Sequence, residues 1–215
     1  MRAAFFDFDG TLLTQESGRI CAIPAMRSGL IGLPVGARVV AGYLASKLGV
    51  LSRTAAQRIG FETYRGRTLA ELRMEMQRLH DRYLRPRLSP PVLAAARAHR
   101  TAGDAVVIAT ASAFFFAEPL ARELGSELIG TQLEWDTAGR CTGRVAGDIL
   151  EGAAKARAAR AWSAGRGLRL EDAAFYTDHI ADLPFLELVR EPVAVGPSRR
   201  LRAEALRRGW KIISH

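Results

Sequence analysis

Two carboxylates two residues apart, Asp7 and Asp9, close a short apolar run in the segment Phe5-Phe6-Asp7-Phe8-Asp9-Gly10-Thr11. A carboxylate can attack a phosphoryl group, because a covalent intermediate splits one difficult displacement into two easier ones. Its own charge repels phosphate, so a divalent cation must neutralise the pair. Magnesium takes oxygen ligands, commonly one or two carboxylates with phosphate and water. The leaving alkoxide then needs a proton, which a second carboxylic acid delivers. Asp7 and Asp9 have the residue types and spacing for nucleophile and acid/base. Gly10 lets the backbone turn sharply, and Thr11 is expected to fix the loop. Taken alone, the same residues also suit a plain turn or a simple cation site.

The elements that position these acids separate the two readings. Ala3 to Phe6 predicts a buried strand presenting Asp7 at its end. Ala105 to Ala109 predicts a second strand ending at Thr110-Ala111-Ser112, followed by a helix from Phe114 to Leu124 closed by Gly125. Leu128 to Trp135 and Cys141 to Val145 read as two strands around a turn. Glu151 to Trp162 is helical, Ala173 to Tyr176 a strand running into Thr177-Asp178, and Ile180 to Val189 a helix that Asp182 is placed to cap. Val193 to Val195, Arg199 to Arg208 and Lys211 to Ile213 continue the alternation. Strands alternating with helices predict an α/β fold, a parallel sheet covered on both faces. Ligands bind outside the carboxyl ends of such strands, where the acids and hydroxyls fall.

Residues 14 to 87 break this rhythm. They contain helical segments at Val35–Leu48, Thr54–Tyr64 and Leu69–Leu84 and no clear strand, and Arg85 to Pro91 reads as a linker. The expected organisation is a catalytic core of residues 1–13 and 88–215, with an all-helical cap of residues 14–87 over the strand ends.

Composition bounds the possibilities further. Apolar residues make up 48% of the 215, enough for a buried core and unlike a disordered chain. Cys21 and Cys141 lie far apart without metal-type spacing, which fits a reducing compartment. The first residues, with acids at positions 7 and 9, match neither a secretory signal nor a transit peptide, so a cytoplasmic location is expected. A formal net charge of +9 attracts phosphates, nucleic acid or anionic membranes without choosing among them. Scattered arginines on solvated helix faces account for much of it, and no specific nucleic-acid partner is expected.

Four motifs in this order resemble the haloacid dehalogenase superfamily of hydrolases, in the phosphoserine-phosphatase-like branch of its subfamily IB. Asp7-Phe8-Asp9-Gly10-Thr11 resembles the first motif, Thr110 the second, Lys155 in Gly152-Ala153-Ala154-Lys155 the third, and Asp178-His179-Ile180-Ala181-Asp182 the fourth. The resemblance implies a Rossmann-like core with the helical cap inserted after the first strand. It implies a magnesium-dependent phosphatase that hydrolyses a small phosphomonoester through an aspartyl-phosphate on Asp7, with Asp9 as general acid/base. Thr110 would bind the transferring phosphoryl group and Lys155 would balance charge. Asp7, Asp9, Asp178 and Asp182 would serve Mg2+. Ser112 is the alternative hydroxyl, or the cap of the helix after it, and Thr11 a further substrate contact. His179 reads as a solvated loop histidine.

Substrate-binding candidates in the cap are Glu16, nine residues after Asp7, and Arg65 and Arg67 around Gly66. The residues around Glu16 do not continue the resemblance to phosphoserine phosphatases, so phosphoserine is not favoured. Histidinol phosphate, a lipid phosphate of the phosphatidylglycerophosphate kind, and other small phosphorylated metabolites stay open. A phosphotransferase using the same intermediate, and a non-catalytic basic phosphate- or nucleic-acid-binding module, are the competing classes. Gly29 to Leu51 carries only Arg38 and Lys47 as charges. It could lie on a membrane with Arg27, Arg38, Lys47 and Arg53 towards anionic headgroups, but a cap helix packed on its neighbours is the preferred reading.

Overall fold

The computed structural model describes residues 1–29 and 31–215. Chain order begins with β1 (Ala3–Phe6), then four helices, α1 (Ser17–Arg27), α2 (Leu33–Lys47), α3 (Arg53–Phe61) and α4 (Leu69–Leu79). After α5 (Pro90–Thr101) come β2 (Ala105–Ala113), α6 (Phe114–Leu124), β3 (Glu127–Thr131) and the short strands β4 (Leu133–Trp135) and β5 (Cys141–Val145). The remainder is α7 (Ala153–Ala164), β6 (Ala174–Thr177), α8 (Leu183–Leu186), β7 (Glu191–Val195), α9 (Arg199–Arg208) and β8 (Lys211–Ile213).

Six strands form one sheet in the order β3-β2-β1-β6-β7-β8, every adjacent pair parallel. The chain winds outward from β1 to β3 on one side and from β6 to β8 on the other. The switch of direction falls between β1 and β6, where ligands bind in open α/β sheets. β1 is buried on both faces, as a central parallel strand must be. Its period-two alternation sends Phe5 and Phe6 to opposite sides. Phe5 meets Trp162 of α7 and Phe185 of α8 edge-on, while Phe6 stacks on Tyr176 at 4.4 Å. Each buried phenyl contributes about 1.5–3 kcal/mol relative to exposure. Helices α5 and α6 cover the Phe6 face, and α7, α8 and α9 cover the Phe5 face.

The chain leaves the sheet after Leu13 and returns at Leu88, and the two passing segments pair. Thr14 N–H donates to the Arg87 carbonyl at 2.9 Å and Ser89 N–H to the Leu12 carbonyl at 2.8 Å. Helices α1 to α4 lie between these crossings and join the Phe6-side core through Tyr64, whose ring meets Phe115 edge-on at 5.1 Å.

Several sequence expectations are corrected. Leu128–Trp135 is not one strand: β3 ends at Thr131 as an edge of the parallel sheet, and β4 pairs with β5 in a separate antiparallel hairpin. Helix α1 is not among the expected helices, and Pro24 lies inside it. It persists because Ser17, Cys21 and Ala25, four residues apart, bury one continuous face. Pro90 and Pro91 belong to the first turn of α5, where the missing N–H is harmless, so the linker is shorter than expected. Ile180–Val189 supplies only a tight turn and the four-residue α8.

Candidate active site

Asp7 follows β1 directly, and its N–H donates to the Tyr176 carbonyl at 2.9 Å, extending the β1–β6 ladder one residue. The acid is thereby fixed by the sheet itself. Beyond it the chain makes a wide turn closed by Leu13 N–H to the Phe8 carbonyl at 2.8 Å. Gly10 takes φ +70 in this turn, and a Cβ there would overlap the Asp178 carboxylate. Glycine is required twice over: for the left-handed backbone and to let the acid beyond β6 approach the β1 turn.

Lys155 enters from α7, 2% exposed, with its Nζ 3.1 Å from Asp7 Oδ2 and 2.6 Å from Asp182 Oδ2. Asp182 also accepts from Gly152 N–H at 3.0 Å through Oδ1 and from the Thr177 hydroxyl at 2.9 Å through Oδ2. Its side chain makes no cap contact with α8, contrary to expectation; both oxygens are taken by donors that hold Lys155 and the α7 entry. Gly152 permits this with φ +56, and a Cβ there would lie 2.7 Å from the Ala181 carbonyl oxygen.

Strand β2 delivers the hydroxyls. Thr110 pairs with Gly130, Ala113 pairs with Thr131, and the two residues between bulge out of register. A bulge re-aims side chains, and here it turns Ser112 towards Asp9, to whose Oδ2 its hydroxyl donates at 2.6 Å. Ser112 therefore does not cap α6, whose N-cap is Ala113. Thr110 is fully buried, and its oxygen accepts Ser112 N–H at 3.0 Å. Asp9 Oδ1 accepts from Ser17 N–H at the start of α1, so helix α1 helps hold this acid. Thr11 does not tie the loop through its hydroxyl: Oγ1 is buried without a protein partner.

Asp7 and Asp182 pair with the Lys155 ammonium, Asp178 feels its charge from beyond β6, and Asp9 stands beside Asp7 on the β1 turn. Burial would lower the Lys155 pKa, but Asp182 and Asp7 outweigh it and hold the ammonium protonated. Burial pushes Asp7 up to about 8, opposed by Lys155 and reinforced by Asp182, Asp178 and Asp9. Asp178 is likewise pushed up to about 7, chiefly by burial and against the pull of Lys155. Hard oxygen donors with too little positive charge suit a divalent cation, and Asp178, whose carboxylate has no ion pair or side-chain hydrogen bond among the described residues, is the acid most open to one. His179 is not a solvated loop residue. It is half-buried, its Nδ1 accepts Ala181 N–H at 3.1 Å, and burial, with Arg53 second, lowers it to about 4, so the ring is neutral.

A cavity of about 160 Å³ opens beside Ser17 and Ser112, the two residues that hold Asp9. Cys21, Ala25, Ile31, Val39, Phe61 and Phe116 supply much of its wall, Gln57 is among its few polar lining groups, and no charged side chain lines it. The structure does not bring the expected cap residues there. Glu16 lies at the N-cap of α1, Arg65 packs over Gly143 of the hairpin, and Arg67 donates to the Gly29 carbonyl at 3.0 Å. The cap residue that does reach the core beside the fourth motif is Arg53, whose guanidinium pairs with Glu151 at 3.0 Å.

Sequence reasoning missed Thr177, Gly152, Ser17 and Arg53. Thr177 and Gly152 had a local signal, a hydroxyl preceding Asp178 at a strand end and a glycine three residues before Lys155. Ser17 and Arg53 had none, since only the folded chain sets α1 and α3 against the core.

A parallel sheet with its switch point at β1, carrying an Asp-x-Asp turn, a strand-end Thr, a buried Lys and an acidic loop, defines a haloacid dehalogenase-type α/β hydrolase. Residues 4–187 match the model of the haloacid dehalogenase-like hydrolase family, and the chain belongs to that family. Within it, the chain is similar to the phosphoserine-phosphatase-like branch. Phosphoserine phosphatase SerB1 of Mycobacterium tuberculosis is 33% identical over 98% of this chain and 70% of its own length. Histidinol-phosphatase of Neisseria meningitidis serogroup C is 31% identical over 98% of this chain and 97% of its own length. A Bordetella pertussis Tohama I protein of unknown function superposes with a TM-score of 0.89, at 33% identity over 99% of this chain and 97% of that one. A substrate-bound phosphoserine phosphatase shares the fold, with a TM-score of 0.70 and 18% identity over 99% of this chain and 92% of that one.

Proposed function

We propose that this chain, a phosphoric monoester hydrolase of the haloacid dehalogenase-like family, is a magnesium-dependent phosphatase working through an aspartyl-phosphate on Asp7. The observation that carries the reading is the convergence of Asp7, Lys155 and Asp178 at the switch between β1 and β6. An Asp7 carboxylate oxygen forms a bond to phosphorus as the bond to the leaving oxygen breaks. Asp9, held by Ser112 and Ser17, gives its proton to that oxygen. Asp9 then takes a proton from water as the water oxygen displaces phosphate from Asp7. Lys155 balances the charge of the Asp7 carboxylate and then of the phosphoryl group, and the buried Thr110 hydroxyl is at hand to donate to a phosphoryl oxygen.

Asp7 and Asp178 would hold the Mg2+ through their carboxylates, and it would supply charge neutralisation between nucleophile and phosphate; the Asp9 carboxylate, both of whose oxygens accept protein donors, is kept for proton transfer. Asp182 belongs to this set as the group that fixes Lys155, both its oxygens being engaged by the protein. Residues 14–87 act as a cap over a core of residues 1–13 and 88–215, excluding water and enclosing the leaving group.

The substrate is a small phosphomonoester. The cavity beside Asp9 has no charged lining residue to pair with an amino-acid carboxylate, and burying an unpaired charge is costly. This supports a leaving group that is uncharged at the end facing the cavity, and it disfavours phosphoserine. The test is phosphate release from p-nitrophenyl phosphate with Mg2+, followed by a panel holding phosphoserine, histidinol phosphate and lipid phosphates. Release in the parent and none from a folded Asp7→Asn variant supports the reading, whereas equal release from both refutes it.

A further inference from the structure

Helix α2 leaves its bulkiest apolar side chains in solvent. Its buried positions are the glycines Gly36 and Gly42. A Cβ at Gly36 would lie 3.0 Å from Met26 Sδ, and one at Gly42 the same distance from Ile59 Cδ1, so these faces close on their neighbours without side chains of their own. The bulkiest residues stay exposed. Leu33 is 80% exposed, Val40 51% and Leu44 54%, and just past the helix Leu48 and Val50 are each 79% exposed. Residues 33, 40, 44 and 48 follow the spacing of one helix face. A soluble helix that only packs in a cap would bury these leucines; α2 turns Val35 and Val39 partly inward but leaves the leucines in solvent.

The charge around this face is one-sided. From Ser17 to Phe61 the sequence contains no Asp or Glu, but holds Arg19, Arg27, Arg38, Lys47, Arg53 and Arg58. Arg38 is paired with Glu62 and Arg53 with Glu151, both from outside that segment. Arg19, Arg27, Lys47 and Arg58 have no ion pair among the described residues. A second copy meeting this face would bring the same cations against them, which like-charge repulsion opposes. The helix has 15 residues, and no described helix is long and apolar enough to cross a membrane. What fits an exposed apolar stripe in a segment whose only charges are cations is a plane that is negatively charged outside and apolar just beneath.

We propose that α2 is a docking surface for an anionic lipid bilayer. The helix lies in the interface plane with Leu33, Val40, Leu44 and Leu48 in the headgroup–acyl boundary, and the cations of the segment meet lipid phosphates. The preferred sequence expectation, a cap helix packed on its neighbours, holds at Gly36 against Met26 and Gly42 against Ile59; the exposed stripe is what that packing leaves uncovered. Because Val39 on α2 also lines the cavity beside Asp9, a docked helix leaves the cavity adjoining the lipid surface. The proposal stands on the surface alone and holds whatever the substrate is.

The test is co-sedimentation with phosphatidylglycerol-containing vesicles and with pure phosphatidylcholine vesicles, at low and at physiological salt, for the parent and for Leu44→Glu/Leu48→Glu. Both leucines are exposed, so the variant should keep its thermal transition, which is recorded alongside. The proposal expects binding to phosphatidylglycerol vesicles that weakens with salt, little binding to phosphatidylcholine, and a loss of about tenfold or more in the variant. No pelleting with anionic vesicles at low salt overturns it, as does binding that the variant retains. A gel-filtration dimer that the variant dissociates, without vesicle binding, would instead assign the face to a second copy. Binding only to duplex DNA at low salt would assign it to nucleic acid.

Discussion

Replacing Lys155 by methionine removes the one ammonium from a buried carboxylate cluster. In the parent, Lys155 and Asp182 have side chains 2% exposed and Asp7 11%. Without Nζ, Asp182 keeps the Gly152 and Thr177 donors, while Asp7 keeps the Phe8 N–H and a long contact of 3.5 Å from the Thr177 hydroxyl. Breaking a buried ion pair from one side costs about 3–5 kcal/mol, because the remaining charge has lost its compensation. In a domain of this size each kcal/mol moves Tm by about 2–4 °C, so Lys155→Met should melt roughly 6–20 °C below the parent at neutral pH without metal. Adding Asp182→Asn removes one of the orphaned charges, and the double variant should recover part of that loss while staying inactive. Differential scanning calorimetry in EDTA measures both. A single variant melting within about 2 °C of the parent, or a double variant whose losses simply add, would refute the buried triad as described.

The remaining expectations are narrower. Saturating Mg2+ at about 100 times its Kd should stabilise the chain by about 2.7 kcal/mol, raising Tm by about 5–10 °C. Gly10→Ala, which pushes a methyl into the Asp178 carboxylate, should shrink that rise; an undiminished metal response would contradict the placement of Asp178. Ser112→Ala leaves Asp9 without its 2.6 Å hydrogen bond, so kcat should fall roughly tenfold with KM little changed; steady-state kinetics separates the two. Asp104 is opposed by burial, but hydrogen bonds from His99 and Arg2 prevail and hold its carboxyl below the usual range. Its stabilising effect is therefore full above the unfolded value of about 3.9 and disappears as pH falls through the lower folded one. Parent and Asp104→Asn should differ in Tm at pH 7 and converge in strong acid.

What the sequence made legible was local. Asp7 through Thr11, Lys155 and Asp178 each sit where an apolar strand stops or a helix starts, and Thr110 where the apolar run of β2 gives way to its bulge, so short windows revealed them, and strand–helix alternation revealed the sheet. The rest depended on contacts between distant parts of the chain. Asp182 looks like a helix cap in its own window, and only the approach of α7, which brings in Gly152 and Lys155, turns it inward. Ser112 faces Asp9 because β2 bulges against β3, and the chain after the bulge passes so close to Gly130 that a Cβ there would collide with the Phe114 backbone. Helix α1 carries a local cost at Pro24, and the buried face of Ser17, Cys21 and Ala25 that offsets it exists only in the fold. Arg65 and Arg67 looked like substrate ligands by residue type, yet the β4–β5 hairpin and the Gly29 carbonyl engage them instead.

The central claim is that Asp7 carries the phosphoryl group. Acid-quenching the enzyme during turnover of a phosphate-labelled aryl phosphate, then mapping the label, tests it directly. The account predicts an acid-stable, hydroxylamine-labile acyl phosphate on the peptide holding Asp7, and none in Asp7→Asn. Turnover with no label on the chain, or label on another residue that persists in Asp7→Asn, would contradict it.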